Sequence, residues 1–146
     1  MRAVIQRVKH GRVTIGGEVT ADIQHGMVIL LGIGPTDTEV NLLAAARKIA
    51  LLRIFEDDQH KMNRSILDVG GSAIVVSQFT LYADTHKGNR PSFIDAAPPE
   101  QASTLVDTFV QLLRNQGVPT QTGIFGADML VDISNDGPVT ILLRDD

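Results

Sequence analysis

The chain has 146 residues, 43% of them hydrophobic and 21% charged, with a formal net charge of −4. That size and balance fit one folded domain and exclude a disordered chain, and the acidic total speaks against a general nucleic-acid coat. No apolar run reaches the ~18 residues of a membrane span. The absence of cysteine excludes disulfides, thiolate metal sites and a cysteine nucleophile.

The opening "MRAVIQRVKHGRV" lacks the continuous apolar segment of a secretory signal, so the expected location is the cytoplasm. Within it, "RAVIQRV" alternates, with Ala3, Ile5 and Arg7 on one face and Val4, Gln6 and Val8 on the other, and predicts a strand. "RVTIGGEVTADI" is two β-prone runs around Gly16-Gly17, a hairpin signal. "GMVILLGIG" is a continuous apolar run of strand length, the pattern of a central strand. The period then changes. Leu42, Ala45, Ala46, Ile49 and Leu52 fall at helical spacing, and Thr36 followed by Glu39 predicts a capping box at the helix start. The helix is expected to end near Phe55, before the polar "EDDQHKMN".

"AIVVSQFTLY" predicts the next strand and "DTHKGNRPSF" a polar loop. "PPEQASTLVDTFVQLLRNQG" predicts a second amphipathic helix, with proline in its first turn, a stripe of Ala102, Leu105, Phe109 and Leu112, and Gly117 at its end. Strands return around "TQT", "ADMLVDIS" and "VTILLRD". The expected fold is α+β: a single domain over 1–146, with a largely antiparallel curled sheet and two main amphipathic helices.

Charge is unevenly spread. Arg2, Arg7, Lys9 and Arg12 precede the first acid, Glu18, whereas Asp128, Asp132, Asp136, Asp145 and Asp146 stand against Arg144 alone at the other end. A basic N-terminal face can meet a phosphate backbone or be ordinary solvated charge. His10, His25, His60 and His86 form no HxH or HxxxH pair, so no zinc site is expected. "GIGPTD" fails as a dinucleotide fingerprint, because Asp37 stands at the third glycine position. "DDQHKMN" lacks EF-hand spacing and reads as a solvated turn.

Two stretches remain. "SQFTLY" puts Ser77, Gln78 and Thr80 where a buried strand runs out; they either form a polar outward face or bind a polar substrate and its oxyanion. "NDGPVT" is strong turn chemistry. It either closes a tight turn between the last two strands, or places Gly137-Pro138 for its backbone.

Together, "SQFTLY" and "NDGPVT" resemble the paired signatures of the D-aminoacyl-tRNA deacylase family, of the bacterial and eukaryotic cytosolic type. The resemblance covers nearly the whole chain, through "AVIQRV", "GGEVTADI", "LLGI", "RIFED" with "KMN", "GNRPSF" and "TQTGIFGADM". Tyr82, where a smaller residue would also fit, and Asn89, in a variable loop, are minor departures that do not touch the Gly-Pro pair. The resemblance implies a homodimeric hydrolase acting on the 3′ ends of D-aminoacyl-tRNA and of mischarged glycyl-tRNA, with no cofactor, metal or membrane. It implies a cis Gly137-Pro138 bond that reaches the partner subunit's site and turns two carbonyl oxygens toward the amino acid. An L-residue would then clash through its Cβ, while glycine and D-residues pass.

The same resemblance puts Ser77, Gln78, Phe79 and Thr80 in the catalytic pocket, Phe125 and Met129 against the adenine, and Arg7 behind the Gly-Pro loop. The N–H groups of Phe79 and Thr80 are the expected oxyanion donors. No general base stands in either signature, and the resemblance implies attack assisted by the ribose 2′-hydroxyl. Three rivals are a Thr80 nucleophile, a triad esterase and a non-catalytic nucleic-acid-binding dimer. The preferred D-amino acid is not legible, because its side chain would point outward.

Overall fold

The computed structural model describes residues 1–145. Strand β1 (Arg2–Ile15) turns at Gly16-Gly17 into β2 (Glu18–Ile23), and β3 (Gly26–Gly32) follows. Helix α1 spans Glu39–Leu51, a small hairpin joins β4 (Phe55–Glu56) to β5 (Met62–Arg64), and a short α2 covers Ile66–Val69. Strand β6 (Ser72–Ser77) leads into a 3-10 turn at Phe79–Tyr82, then α3 (Pro99–Asn115), β7 (Thr120–Thr122) and β8 (Leu130–Arg144).

Strand β1 is the spine of the sheet. One edge pairs with β3 and β2, the other with β8, all antiparallel. The far half is parallel: β6 runs alongside β3, and β7 alongside β6. The fold is α+β as expected, but the sheet is mixed. Each parallel step needs a crossover, and α1 and α3 supply them. The sheet curls until β7 meets β2, where the Gln121 amide donates to the Asp22 carbonyl at 3.0 Å and accepts from the Asp22 N–H at 2.8 Å.

Two cores result. One lies between the sheet and helices α1 and α3, with Ile5, Met27, Ile29, Leu31 and Val75 against Leu42, Ile49, Phe109 and Leu113. The other fills the curl, with Val8, Val13, Ala21, Ile23, Val28, Ile74 and Val76. Strand β3 feeds both, which is why its apolar run is continuous. Strand β1 changes core midway. Val8 pairs with Asn135 and His10 with Ser134, so Lys9 is bulged out and the buried face flips. Before the bulge the odd-numbered Ala3 and Ile5 face the helices and Val8 the curl; after it the odd-numbered Val13 faces the curl. Gly11 completes that inner face, where a Cβ would meet Val28 Cγ2 at 2.7 Å.

Several local expectations shift. The N-cap of α1 is Thr38, whose N–H donates to Asn41 Oδ1 at 2.6 Å; Thr36 and Glu39 do not form the box. The displaced start follows from Asp37, which accepts from the Gly34 N–H and from the Met1 ammonium at 2.7 Å, fixing the turn that precedes Thr38. Helix α1 stops at Leu51, because Leu52 turns extended and Phe55 enters β4 with 1% exposure. Helix α2 carries no periodic signal; it is four residues long, capped by Ser65 and Asp68 and ended by Gly70. In α3 the buried row is Ala102, Val106, Phe109, Val110 and Leu113, with Leu105 and Leu112 at its edge.

Candidate active site

Strand β6 carries Ala73–Val76 between the two cores and ends at Ser77, opposite Leu31. The expected strand through "SQFTLY" is therefore cut short. The Gln78 N–H donates to the Leu31 carbonyl at 2.8 Å, and the chain then winds into the 3-10 turn, where the Leu81 N–H returns to the Gln78 carbonyl. The N–H groups of Phe79 and Thr80 open that turn, where a helical segment has no internal acceptors for them.

A cavity of about 550 Å³ lies against this strand end. Ser77, Gln78 and Phe79 line one side, Phe125 and Met129 another, and Phe93 a third. Phe79 is 54% exposed and meets Phe93 edge-on, ring centroids 5.0 Å apart. An exposed aromatic pair at the rim of an apolar hollow is suited to a flat base or sugar ring. Thr80 stands beside the cavity. Its Oγ1 accepts from the Gln78 side-chain amide. Met129 is held by Gly123, where a Cβ would meet the thioether sulfur; Phe125 sits in the turn just beyond.

Arg7, Gly137 and Pro138 form a second cluster. Gly137-Pro138 does not close a turn between two strands: β8 is continuous through it. Gln6 pairs with Thr140 and Val8 with Asn135, so Arg7 alone stands opposite Asp136, Gly137, Pro138 and Val139. The excess residues arch out as a bulge with a cis Gly137-Pro138 bond and both residues exposed. Arg7 is 4% exposed beneath the arch. Its Nε–H donates to the Asp136 carbonyl at 3.0 Å and its Nη1–H to the Ile54 carbonyl at 2.7 Å, with Glu56 Oε1 3.9 Å from Nη2. Gly137 has φ +120°, and a Cβ there would meet Arg7 Nη2 at 2.8 Å. Neither Gly137 nor Pro138 lines the cavity of its own chain.

The structure thus brings Ser77, Gln78, Phe79, Phe125 and Met129 around one cavity, with Thr80 adjoining, and sets Arg7, Gly137 and Pro138 apart. Phe93 joins the cavity without a sequence signal of its own, although "GNRPSF" contains it; nothing in its spacing says that the loop folds back onto Phe79. The Ile54 carbonyl, a backbone group, carries no sequence signal at all. Among the described residues no cluster of three histidines or carboxylates is placed to hold a metal ion, and no helix is long and apolar enough to cross a membrane.

Residues 4–144 match the model of the family described as D-Tyr-tRNA(Tyr) deacylase. A D-aminoacyl-tRNA deacylase of Roseiflexus sp. (strain RS-1) is 59% identical over 98% of this chain and 92% of its own. One of Thermus aquaticus is 55% identical over 98% of this chain and 94% of its own. The solved structure of a protein named "c-Myc DNA Unwinding Element Binding Protein" superposes with a TM-score of 0.93 at 43% identity, covering 100% of this chain and 99% of that one. A probable eukaryotic D-amino acid tRNA deacylase shares the fold at 17% identity, with a TM-score of 0.82 and 97% of each chain covered. The match over almost the whole length, at such identity, means that this chain belongs to the D-Tyr-tRNA(Tyr) deacylase family.

Proposed function

We propose that the protein hydrolyses the ester between a D-amino acid and the terminal adenosine of tRNA, and clears glycine from mischarged tRNA in the same way. The observation that carries this reading is the cavity at the end of β6, where "SQF" meets Phe125 and Met129 on a chain with 55–59% identical relatives named for that activity. Phe125 and Met129 hold the adenine. The ester carbonyl lies over the start of the 3-10 turn, where the Phe79 and Thr80 N–H groups receive the developing oxyanion. Gln78 flanks the ester, and Ser77 completes the polar floor.

The active unit is a homodimer. Strand β8 pairs with β1 along one edge, and Leu130 and Leu142 on it are 65% and 71% exposed. Its bulge lies away from its own cavity, which supports delivery to the partner's. There the Gly137 and Pro138 carbonyls stand where an L-residue would put its Cβ. Hydrogen fits; carbon does not. Rejection by clash leaves the D side chain pointing out, so many D-residues are accepted.

Water is activated by the ribose 2′-hydroxyl of the substrate. The Thr80 hydroxyl is engaged by an amide rather than by a base, which supports the RNA-assisted route over a threonine nucleophile. An aminoacyl ester is already reactive, so orientation and oxyanion stabilisation suffice.

Deacylation of matched D-tyrosyl-, L-tyrosyl- and glycyl-tRNA by one preparation, at one salt concentration, tests the reading. Rapid loss of the D and glycyl esters with the L ester spared is expected. Equal loss of D and L esters would make the bulge irrelevant to selection and favour a general esterase. A second reading, binding of nucleic acid without turnover, is favoured by the 43% identical protein, which is named for binding a DNA unwinding element. It predicts retained tRNA with every ester intact.

A further inference from the structure

Between the 3-10 turn and α3, the chain makes an exposed lobe. Asp84 and Ser92 close it by a two-way backbone bridge, N to O at 2.8 and 2.9 Å. Phe93, the next residue, packs edge-on against Phe79, so the root of the lobe is part of the cavity wall. The Asp84 carboxylate, 43% exposed, is held within the lobe: it accepts from the His86 N–H at 3.0 Å and lies 2.6 Å from His86 Nδ1. Beyond this pair the lobe presents Lys87 and Arg90, both exposed, on either side of Gly88-Asn89.

Among the described residues Lys9, Arg47, Lys48, Arg53 and Lys61 are likewise exposed without a side-chain partner; what sets Lys87 and Arg90 apart is their place on the lobe whose root, Phe93, lines the cavity. Arg12 is paired with Asp22 and Arg64 with Asp58, each at 3.1 Å, while Arg7 is buried. Among the described residues no ion pair or side-chain hydrogen bond engages Lys87 or Arg90. On a chain of net charge −4, two free cations on a lobe rooted in the cavity wall form a local anion-attracting point. In the deacylase reading the terminal adenosine occupies the cavity, and the nucleotides before it leave across the rim.

Resting on the deacylase reading, we propose that the Asp84–Ser92 lobe clamps the single-stranded 3′ end of the tRNA by its phosphodiester backbone, with Lys87 and Arg90 as the contacting groups. Contacts to phosphate carry no base information, so the clamp holds any tRNA 3′ end and fixes the direction in which the terminal adenosine enters. Chemistry at the ester does not need it.

The test compares D-tyrosyl-tRNA with its fragment, adenosine bearing D-tyrosine on the 3′-hydroxyl, for the wild type and a Lys87→Ala, Arg90→Ala double variant. The expected result is a KM for tRNA raised roughly tenfold with kcat unchanged, and no change on the fragment. The advantage of the wild type on tRNA should shrink roughly sevenfold between about 50 and 200 mM salt, the effect of two single-strand phosphate contacts. The Lys87→Arg, Arg90→Lys exchange should retain wild-type KM. An unchanged KM on tRNA overturns the clamp, as does an equal loss on both substrates, which would make the lobe a wall of the cavity only. Binding of uncharged tRNA by wild type and double variant separates the two proposals. If the wild type hydrolyses neither ester, the deacylase reading falls, and weaker tRNA binding by the variant still upholds the clamp while equal binding overturns it.

Discussion

The turn at Ser77–Thr80 and the bulge at Asp136–Val139 both interrupt a strand, but they are held in opposite ways. The turn ends a buried strand whose two edges are paired, and the Gln78 N–H stays on the Leu31 carbonyl. Main-chain ladders and two cores fix it. The bulge rides on a strand paired along one edge only; Val139 packs on the core at its end, and the one side chain that bonds to its backbone from beneath is Arg7. A donor surface built on sheet backbone tolerates side-chain replacement. An arch braced by one guanidinium does not.

The sharpest way to break this comparison is Arg7→Ala. It strips the Ile54 and Asp136 carbonyls of a charged donor, one of them in a buried contact, and leaves a void beneath the arch. We expect a loss of about 3 kcal/mol, read as a melting temperature lower by roughly 6–12 °C, together with hydrolysis of L-aminoacyl-tRNA. Arg7→Lys should recover part of the stability, since one ammonium cannot reproduce the fork. An Arg7→Ala protein of wild-type stability and selectivity would show that the arch supports itself.

Gly137→Ala comes next. Its φ of +120° is left-handed territory, and the added Cβ meets the Arg7 guanidinium. A cost of about 1–2 kcal/mol is expected in denaturant unfolding, with relaxed exclusion of L-esters. Thr80→Ala sharpens the other side of the comparison. If backbone N–H groups do the work, kcat stays within about threefold of wild type, because the hydroxyl is only a partner of the Gln78 amide. A fall of roughly a hundredfold with tRNA still bound would make the hydroxyl the nucleophile.

The smallest effect is shared by four partly or fully exposed carboxylates that belong to neither the turn nor the bulge. Hydrogen bonding to His10 holds the Asp22 carboxyl below its ordinary pKa, and backbone N–H groups of Lys61 and Gln59 do the same for Asp57. The backbone N–H of Ser65 lowers Asp68, and that of His86 lowers Asp84. A lowered folded-state pKa means stability that is present above the unfolded value, about 3.9, and is lost as pH falls through the folded value. Thermal unfolding should therefore be flat through neutral pH and decline only below about pH 4. A decline beginning near pH 6 would point to histidine instead.

Local chemistry is readable where neighbours in sequence are neighbours in space. Gly16-Gly17 makes its hairpin, and Pro99 and Gly117 bound α3 as their backbone preferences require. The cap of α1 falls two residues later than its local pattern predicts, because Asp37 is recruited by the Met1 ammonium, a partner 36 positions away. Strand β6 ends sooner than its pattern predicts, because apolar residues continue through Phe79 and Leu81 while the backbone has already left the ladder. Of the site, "SQF" and Gly137-Pro138 carry motifs. Phe93 and Ile54 do not, since one arrives by a loop folding back and the other contributes only a carbonyl.

The amino-acid sequence alone determined the order of helices and strands, the apolar faces that make an α+β domain, and the two stretches, "SQFTLY" and "NDGPVT", that carry the family resemblance. Those follow from periodicity and from residues whose φ/ψ options are narrow. Only the tertiary structure decided that β6 and β7 run parallel to β3, that Gly137-Pro138 is a bulge inside one strand, and that Arg7 lies beneath it. Pairing and register are set by contacts between residues far apart in the chain, Gly26 with Ser72 and Gln6 with Thr140 among them, and no local pattern encodes such a partner.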